Sequence, residues 1–413
     1  MSKVEEEGRP IVRLPQPKPG VEVEWVSEHL GHLCCDSPNV SGRFTGTQQA
    51  ADAALRAFDV RGYAKRRNDV WPASKRGASG LSPWIRHGLL SLPEVWGVVG
   101  GHGHDSRKFR DELLWQEYAR HLYARLGSRT RLSLRYQPVA ERVVDLDPWD
   151  RSMKCVDLCM TELETDGWLV NQTRMWMAAH WTVRHGAPWQ DGEDVFFAHL
   201  LDGSRAANRL GWQWTTGAGT GRVYGFSRWQ VNKRSTGVCD ECVHRNNCPI
   251  EQWHTEPAMA PVDDTALLRH DPDPLRTAGP VGATPVGTPE AVWLTAESLG
   301  DRDPALHAHP DVLAVFVFDE PLLAGLRLSG KRLVFLTERL AELSENRDVE
   351  ISLGDPKVVL QGRALATTFA PVPGWATRAA TIQPVELHPW PWLRRPDSGT
   401  LSSYTNWAKR LGS

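Results

Sequence analysis

The 413-residue chain has no apolar run long enough to cross a bilayer. Its opening, MSKVEEEGRPIVRLPQPKPG, is charged and Pro-rich and lacks the apolar segment of a secretory leader. There is no excess of one charge either, since 50 acidic residues face 48 basic ones. No global field therefore draws the chain onto nucleic acid, and a nucleic-acid site would have to be a local basic patch. Cysteines number seven, an odd count that fits complete disulfide pairing poorly. These absences predict a soluble, cytoplasmic, monomeric protein with no membrane contact, whose cysteines are metal ligands or buried thiols.

Tryptophan is the residue in excess, with 19 copies. Its large ring needs room and its N–H needs a partner, so cores rarely lean on it this heavily. Core packing is the ordinary reading of the count. Stacking on aromatic ligands and electron hopping are the functional ones.

The pattern divides the chain. Residues 1–24 read as a flexible lead. Over 25–255 apolar residues recur at three and four, as in AADAALRAFDVRGYAKR, KFRDELLWQEYARHLYARLG, MKCVDLCMTELETDGW and NQTRMWMAAHWTVRHG, which predicts a helical domain. Residues 256–289 are Pro-rich and read as a linker. Over 290–413 short apolar runs alternate with helical ones: VWLTA, VLAVFVFD, VEISL, ATTFA and PVELH, with KRLVFLTERLAEL between two of them. That alternation predicts a small, doubly wound, parallel five-stranded α/β domain.

The stretch CDECVHRNNCP places Cys239, Cys242 and Cys248 within ten positions. A closed zinc site or a cubane iron–sulfur cluster wants four ligands, and spacing alone favours neither.

LLDGSRAANRLGWQWTTGAGTG (200–221), NQTRM (171–175), ELLWQEY (112–118), ALRAF (54–58) and ASGLSPWIRHGLLS (78–91) together resemble the flavin domain of the photolyase and cryptochrome family, in the family's order and near its spacing. AVWLTAESLGDRDPALHAHPDVLAVFVFD resembles the strands that open ordinary members, here placed last. The resemblance therefore implies a circularly permuted order, with the helical FAD domain first and the antenna-type α/β domain second. MKC (153–155) followed by the cysteine-rich stretch is similar to the bacterial iron–sulfur branch. That implies a 4Fe–4S cluster on Cys155, Cys239, Cys242 and Cys248, with Cys159 as the rival for the first position.

Residue by residue, the resemblance implies FAD bound through Tyr63, Ser79, the Leu81 backbone, Ser82 and Asn171, with Ala78 standing where a threonine is usual. Arg174 and Asp202 would pair beside the flavin, and Asn208 would face its N5. Ser204 replaces a commonly acidic residue. Trp212 and Trp189 match the first two members of an electron relay whose third position falls near Tyr136. Glu112, Trp115, Asn171, Met175 and Trp214 match the pocket for a flipped-out pyrimidine dimer, and Arg67 matches a phosphate contact. Two arginines of that pocket are replaced by Gln116 and Gln172. The histidine pair used for (6-4) lesions is missing near Val170 and Asn171. The implied activity is light-dependent splitting of cyclobutane pyrimidine dimers in UV-damaged DNA by electron transfer from reduced FAD, with single strands the easier substrate. The alternative is a cryptochrome-like blue-light photoreceptor without repair activity. The sequence specifies no antenna pigment.

Overall fold

The computed structural model describes residues 12–411, apart from 102, 140–148, 255 and 264–265. Among these residues there are nine strands: β1 (Val12–Leu14), β2 (Tyr136–Val139), β3 (Ala258–Pro261), β4 (Thr284–Pro285), β5 (Ala291–Leu294), β6 (Leu313–Asp319), β7 (Val349–Gly354), β8 (Leu365–Thr368) and β9 (Glu386–His388). β7, β6, β5, β8 and β9 lie side by side and run parallel. Winding starts at the central β5, passes outward to β7, then resumes on its other side at β8, the reversal that defines a doubly wound sheet. Strands buried on both faces read as continuous apolar runs, which is how AVWL and AVFVF stand in the sequence. Val292 and Leu294 face one core with Phe316, Leu333 and Leu340, while Ala291 and Trp293 face another with Val315 and Leu365.

The sheet has seven strands rather than five. β1 adds antiparallel to β7 and β4 antiparallel to β9. Both come from segments read as unstructured, and both are too short for a period of two to register in the sequence. Their positions cover edges whose backbone groups would otherwise lie unpaired. The lead is correspondingly ordered over 12–24, and its residues 1–11 lie outside the described residues. The helix Glu22–His29 follows, burying Trp25 and Val26, with Trp25 Nε1 donating to the Pro15 carbonyl at 3.0 Å. The expected linker is structured as well: β3 pairs with β2, and Asp273 caps a short helix that opens on Pro274. Proline at the first helical turn costs no hydrogen bond, so Pro-rich composition there is no bar to structure.

The helical body carries the long helix His104–Leu126 and the helices Lys154–Asp166, Asn171–Ala179, Trp189–His199 and Ala207–Thr215. Lys154–Asp166 turns Cys155, Val156, Cys159 and Leu163 inward and ends at Gly167, whose φ is +65°. A Cβ there would also sit 2.9 Å from Leu201 and 3.1 Å from the His199 carbonyl. Gly167→Ala is expected to destabilise the fold by at least about 1–2 kcal/mol, read as a lower denaturant midpoint.

One face of the sheet shares its core with Leu81, Ile85, Leu89 and Leu90 of the helical body. Two arginines cross this seam. Arg332, nearly fully buried, donates to the carbonyls of Phe197 and Gly203, and Arg86 donates to Gly203 at 3.0 Å while pairing with Glu297 at 2.9 Å. The loop bearing Asp202 is thereby held from both sides.

Candidate functional site

The long helix His104–Leu126 buries Phe109, Leu113 and Tyr118 and leaves Glu112 and Trp115 half-buried on another face. Asp105 accepts from the backbone of Gly62 at 2.7 Å and Ala64 at 2.9 Å, which docks the Tyr63–Arg66 turn against it. Arg67 Nε then lies 3.3 Å, and Lys108 Nζ 2.9 Å, from the same oxygen of Glu112. Tyr63 stands edge-on to Phe109 at 5.0 Å; burial, then the Glu112 charge, pushes its phenol well above the ordinary value. Tyr63, Arg67 and Glu112 are thus brought together. Lys108 was not read from the sequence, although its i,i+4 spacing to Glu112 is a legible pairing signal.

One face of the Trp115 ring is already covered. The ring of Tyr404, on the helix Tyr404–Leu411, lies on it at 3.9 Å between centroids and 12° between planes, and the Tyr404 hydroxyl bonds to the Asp111 carboxylate. Trp214 is 38% exposed and leans on Tyr224 at 5.3 Å. Gln172 is buried and donates to the Tyr224 hydroxyl at 2.6 Å, so it braces Trp214's neighbour. Asn171 is exposed at the start of its helix, with Met175 and Gln116 half-buried.

Arg174 Nη2 meets Asp202 Oδ2 at 2.7 Å, and Arg174 Nε is fixed on the Leu169 carbonyl at 3.0 Å. Asp202 Oδ1 is buried with no hydrogen-bond partner among the described residues, as are the indole nitrogens of Trp189 and Trp212. Buried polar atoms left without partners are costly, and Asp202 Oδ1 keeps an acceptor position that a polar ligand could use. The Asn208 amide nitrogen donates to the Glu193 carboxylate at 2.9 Å and carbonyl at 3.1 Å. Glu193 is fully buried and also pairs with Arg205 and Arg209. Leu81 is fully buried, Ser79 Oγ accepts from its N–H at 3.4 Å, and Ser82 Oγ accepts from the Trp168 indole at 3.0 Å. Ser204 Oγ accepts from the Ala206 N–H at 3.2 Å.

The helix Ala207–Thr215 turns Asn208, Trp212 and Thr215 inward, one helical face, while Trp214 points out. Trp212 lies 6.5 Å from Trp149, and Trp149 lies 4.6 Å from the half-buried Trp181. Gly192 makes room for this cluster, since a Cβ there would fall 2.3 Å from Trp212 and 3.0 Å from Trp181. Trp189 is buried, but among the described residues no ring contact joins it to Trp212. Nor does one join it to Tyr136, which sits on β2 beneath Arg135.

Cys155, Cys239, Cys242 and Cys248 line one pocket with Arg228 and His244. Cys159 is buried one turn along and lies outside this lining. Burial, then its three cysteine neighbours, pushes the Cys155 thiol up to about 12. A cationic centre bound there would compensate the Cys155 thiolate. The Ser152 hydroxyl meets His244 Nε2 at 2.9 Å, tying the two cysteine-bearing segments together. Zn–S bonds of about 2.3 Å would bring four tetrahedral sulfurs to roughly 3.8 Å apart. Among the described residues, no three of these sulfurs lie mutually within 4.8 Å.

Residues 109–239 match the family model for the FAD binding domain of DNA photolyase. The helical body is photolyase-like. The matched photolyase segment contains Glu112, Trp115, Cys155, Arg174, Asp202, Asn208 and Trp212, whereas Tyr63, Arg67, Ser79 and Ser82 precede it. The chain is 36% identical over 185 residues to the deoxyribodipyrimidine photo-lyase of Thermus thermophilus, covering 42% of this chain and 43% of that one. It is 30% identical over 237 residues to that of Vibrio cholerae, covering 51% and 47%. The chain thus spans less than half the length of these curated relatives. The crystal structure of a Synechocystis cryptochrome aligns over 48% of this chain and 46% of its own, at 22% identity and a TM-score of 0.42. The family model and the curated relatives thus liken this part of the chain to DNA photolyases.

Proposed function

We propose that the chain is a light-dependent DNA repair flavoprotein that splits cyclobutane pyrimidine dimers by electron transfer from reduced FAD. It would do so with a helical FAD and iron–sulfur domain over 25–255, a connection over 256–289 and an α/β domain over 290–413. The observation that carries the reading is Glu112, set between Arg67 and Lys108 beside Trp115 in a segment matching the photolyase FAD domain. The permuted order is supported by β5, the central strand of the sheet, following the helical body in sequence.

Reduced FAD, when bound, supplies the light-excited electron donor. Arg174 and Asp202 would hold its ring edge, with Asp202 Oδ1 open to accept from it. Glu193 takes both N–H groups of Asn208, which leaves the amide oxygen as the acceptor for a reduced flavin's N5–H; Glu193 is a positioning residue. Glu112 would stabilise the charge that develops on the dimer, and the cations on its outer oxygen hold it in place. Arg67, freed from Glu112, is long enough to reach a phosphate. Cys155, Cys239, Cys242 and Cys248 would hold a 4Fe–4S cluster.

The photoreceptor reading is favoured by one observation, the Tyr404 ring stacked on one face of Trp115. The two readings separate by binding. Stacking on an aromatic contributes on the order of 1–3 kcal/mol per base, so Tyr404→Ala should tighten binding of a dimer-containing single-stranded oligonucleotide about fivefold or more. Fluorescence anisotropy against the undamaged oligonucleotide measures it. No preference for the dimer in either protein would leave the photoreceptor reading standing.

A further inference from the structure

Away from the flavin and cysteine sites, three metal-ligating side chains converge on one edge of the sheet. His309 Nε2 lies 3.1 Å from Glu386 Oε2, and His388 Nε2 lies 2.8 Å from Glu386 Oε1. The three ligand atoms all fall within 4.8 Å of one another. The two rings stand nearly perpendicular at 87°, their centroids 5.9 Å apart. Glu386 and His388 share one face of β9 by the period of two, and His309 ends the helix Pro304–Ala308. The backbone at His309 is fixed in turn, because Arg347 donates to the carbonyls of both His309 and Pro310. All three sit on rigid elements, as a preformed site requires.

The plain alternative is a carboxylate shared by two imidazoles as a hydrogen-bonded trio. The His388 contact argues against it. Its Nε2 is buried 2.8 Å from the carboxylate, but outside the geometry of a well-formed hydrogen bond. Two close ligand atoms that do not point at each other can both point at a third atom between them. Zn–N and Zn–O bonds of about 2.0–2.2 Å would set tetrahedral ligand atoms roughly 3.3 Å apart, a few tenths of an ångström wider than these contacts.

We propose that His309, Glu386 and His388 bind a divalent transition-metal ion of the zinc class, with a fourth position open to water. The ion would pin β9 to the end of the Pro304–Ala308 helix, at the edge otherwise closed only by the two-residue β4. This inference does not depend on the flavin reading.

The test uses the anaerobically purified full chain titrated with cobalt(II). A nitrogen–oxygen site gives visible d–d bands alone, whereas cobalt on the cysteine quartet adds thiolate charge transfer in the near ultraviolet. Wild type should bind one equivalent with d–d bands and no matching charge transfer. His309→Ala and Glu386→Gln should weaken that binding by about a hundredfold or more, the upper end of what losing even an outer-shell partner costs. X-ray absorption of the cobalt in wild type should give nitrogen and oxygen neighbours without sulfur, which tests the site even if a variant misfolds. Absence of this cobalt species in wild type, or equal binding in wild type and both folded variants, would overturn the proposal and leave the hydrogen-bonded trio.

Discussion

Cys155→Ser is expected to abolish the iron–sulfur cluster, while Cys159→Ser keeps about four irons per anaerobically purified chain. The two cysteines are one turn apart on the Lys154–Asp166 helix and equally plausible by spacing. Only Cys155 reaches the cavity lined by Cys239, Cys242 and Cys248, and Cys159 is packed away from it. Because a preformed site does not survive unfolding, the free energy of filling it is also folding free energy. For a structural zinc site that is on the order of 10 kcal/mol. The cluster would join this helix to the loop after the Arg228–Arg234 helix, so Cys155→Ser should also unfold at a markedly lower temperature. Iron analysis and thermal melts check both halves. Zinc in place of iron, or cluster loss in Cys159→Ser with retention in Cys155→Ser, would reverse the assignment.

The second large effect concerns electron supply. Trp212→Phe and Trp149→Phe should each slow photoreduction of the bound flavin by at least about tenfold, because phenylalanine is harder to oxidise than tryptophan by far more than the ~1.4 kcal/mol that costs such a factor. Trp189→Phe should slow it less. The reason is the ring path: Trp212 to Trp149 at 6.5 Å and Trp149 to Trp181 at 4.6 Å, the last of them partly exposed. Transient absorption of the oxidised tryptophan gives a readout independent of repair, and its long-lived component should be lost in Trp149→Phe. Unchanged kinetics in Trp149→Phe with loss in Trp189→Phe would restore the relay expected from the resemblance.

The parallel strands were legible because a strand covered on both faces must be apolar at every position, as in Ala291–Leu294. β1 and β4 were not, since two or three residues carry no period and their pairing partners lie a hundred or more positions away. The same distance hid Tyr404, which meets Trp115 across 289 positions (404 − 115). Local motifs pointed to Arg174, Asp202 and Asn208. They said nothing of Glu193, because a buried carboxylate becomes informative only once Arg205, Arg209 and Asn208 are seen converging on it. Gln116 and Gln172 were read together as lost lesion contacts, yet Gln172 is spent on Tyr224. Substitution at a matched position did not disclose the side chain's direction.

The most direct measurement illuminates the fully reduced, flavin-loaded protein under blue light with a cyclobutane thymine dimer in a single-stranded oligonucleotide, beside an identical dark sample. The repair account predicts loss of the dimer and recovery of thymine absorbance in the light alone, with Glu112→Ala lowering the yield per photon more than the affinity. A protein that holds reduced flavin and still leaves the dimer intact in the light would contradict it.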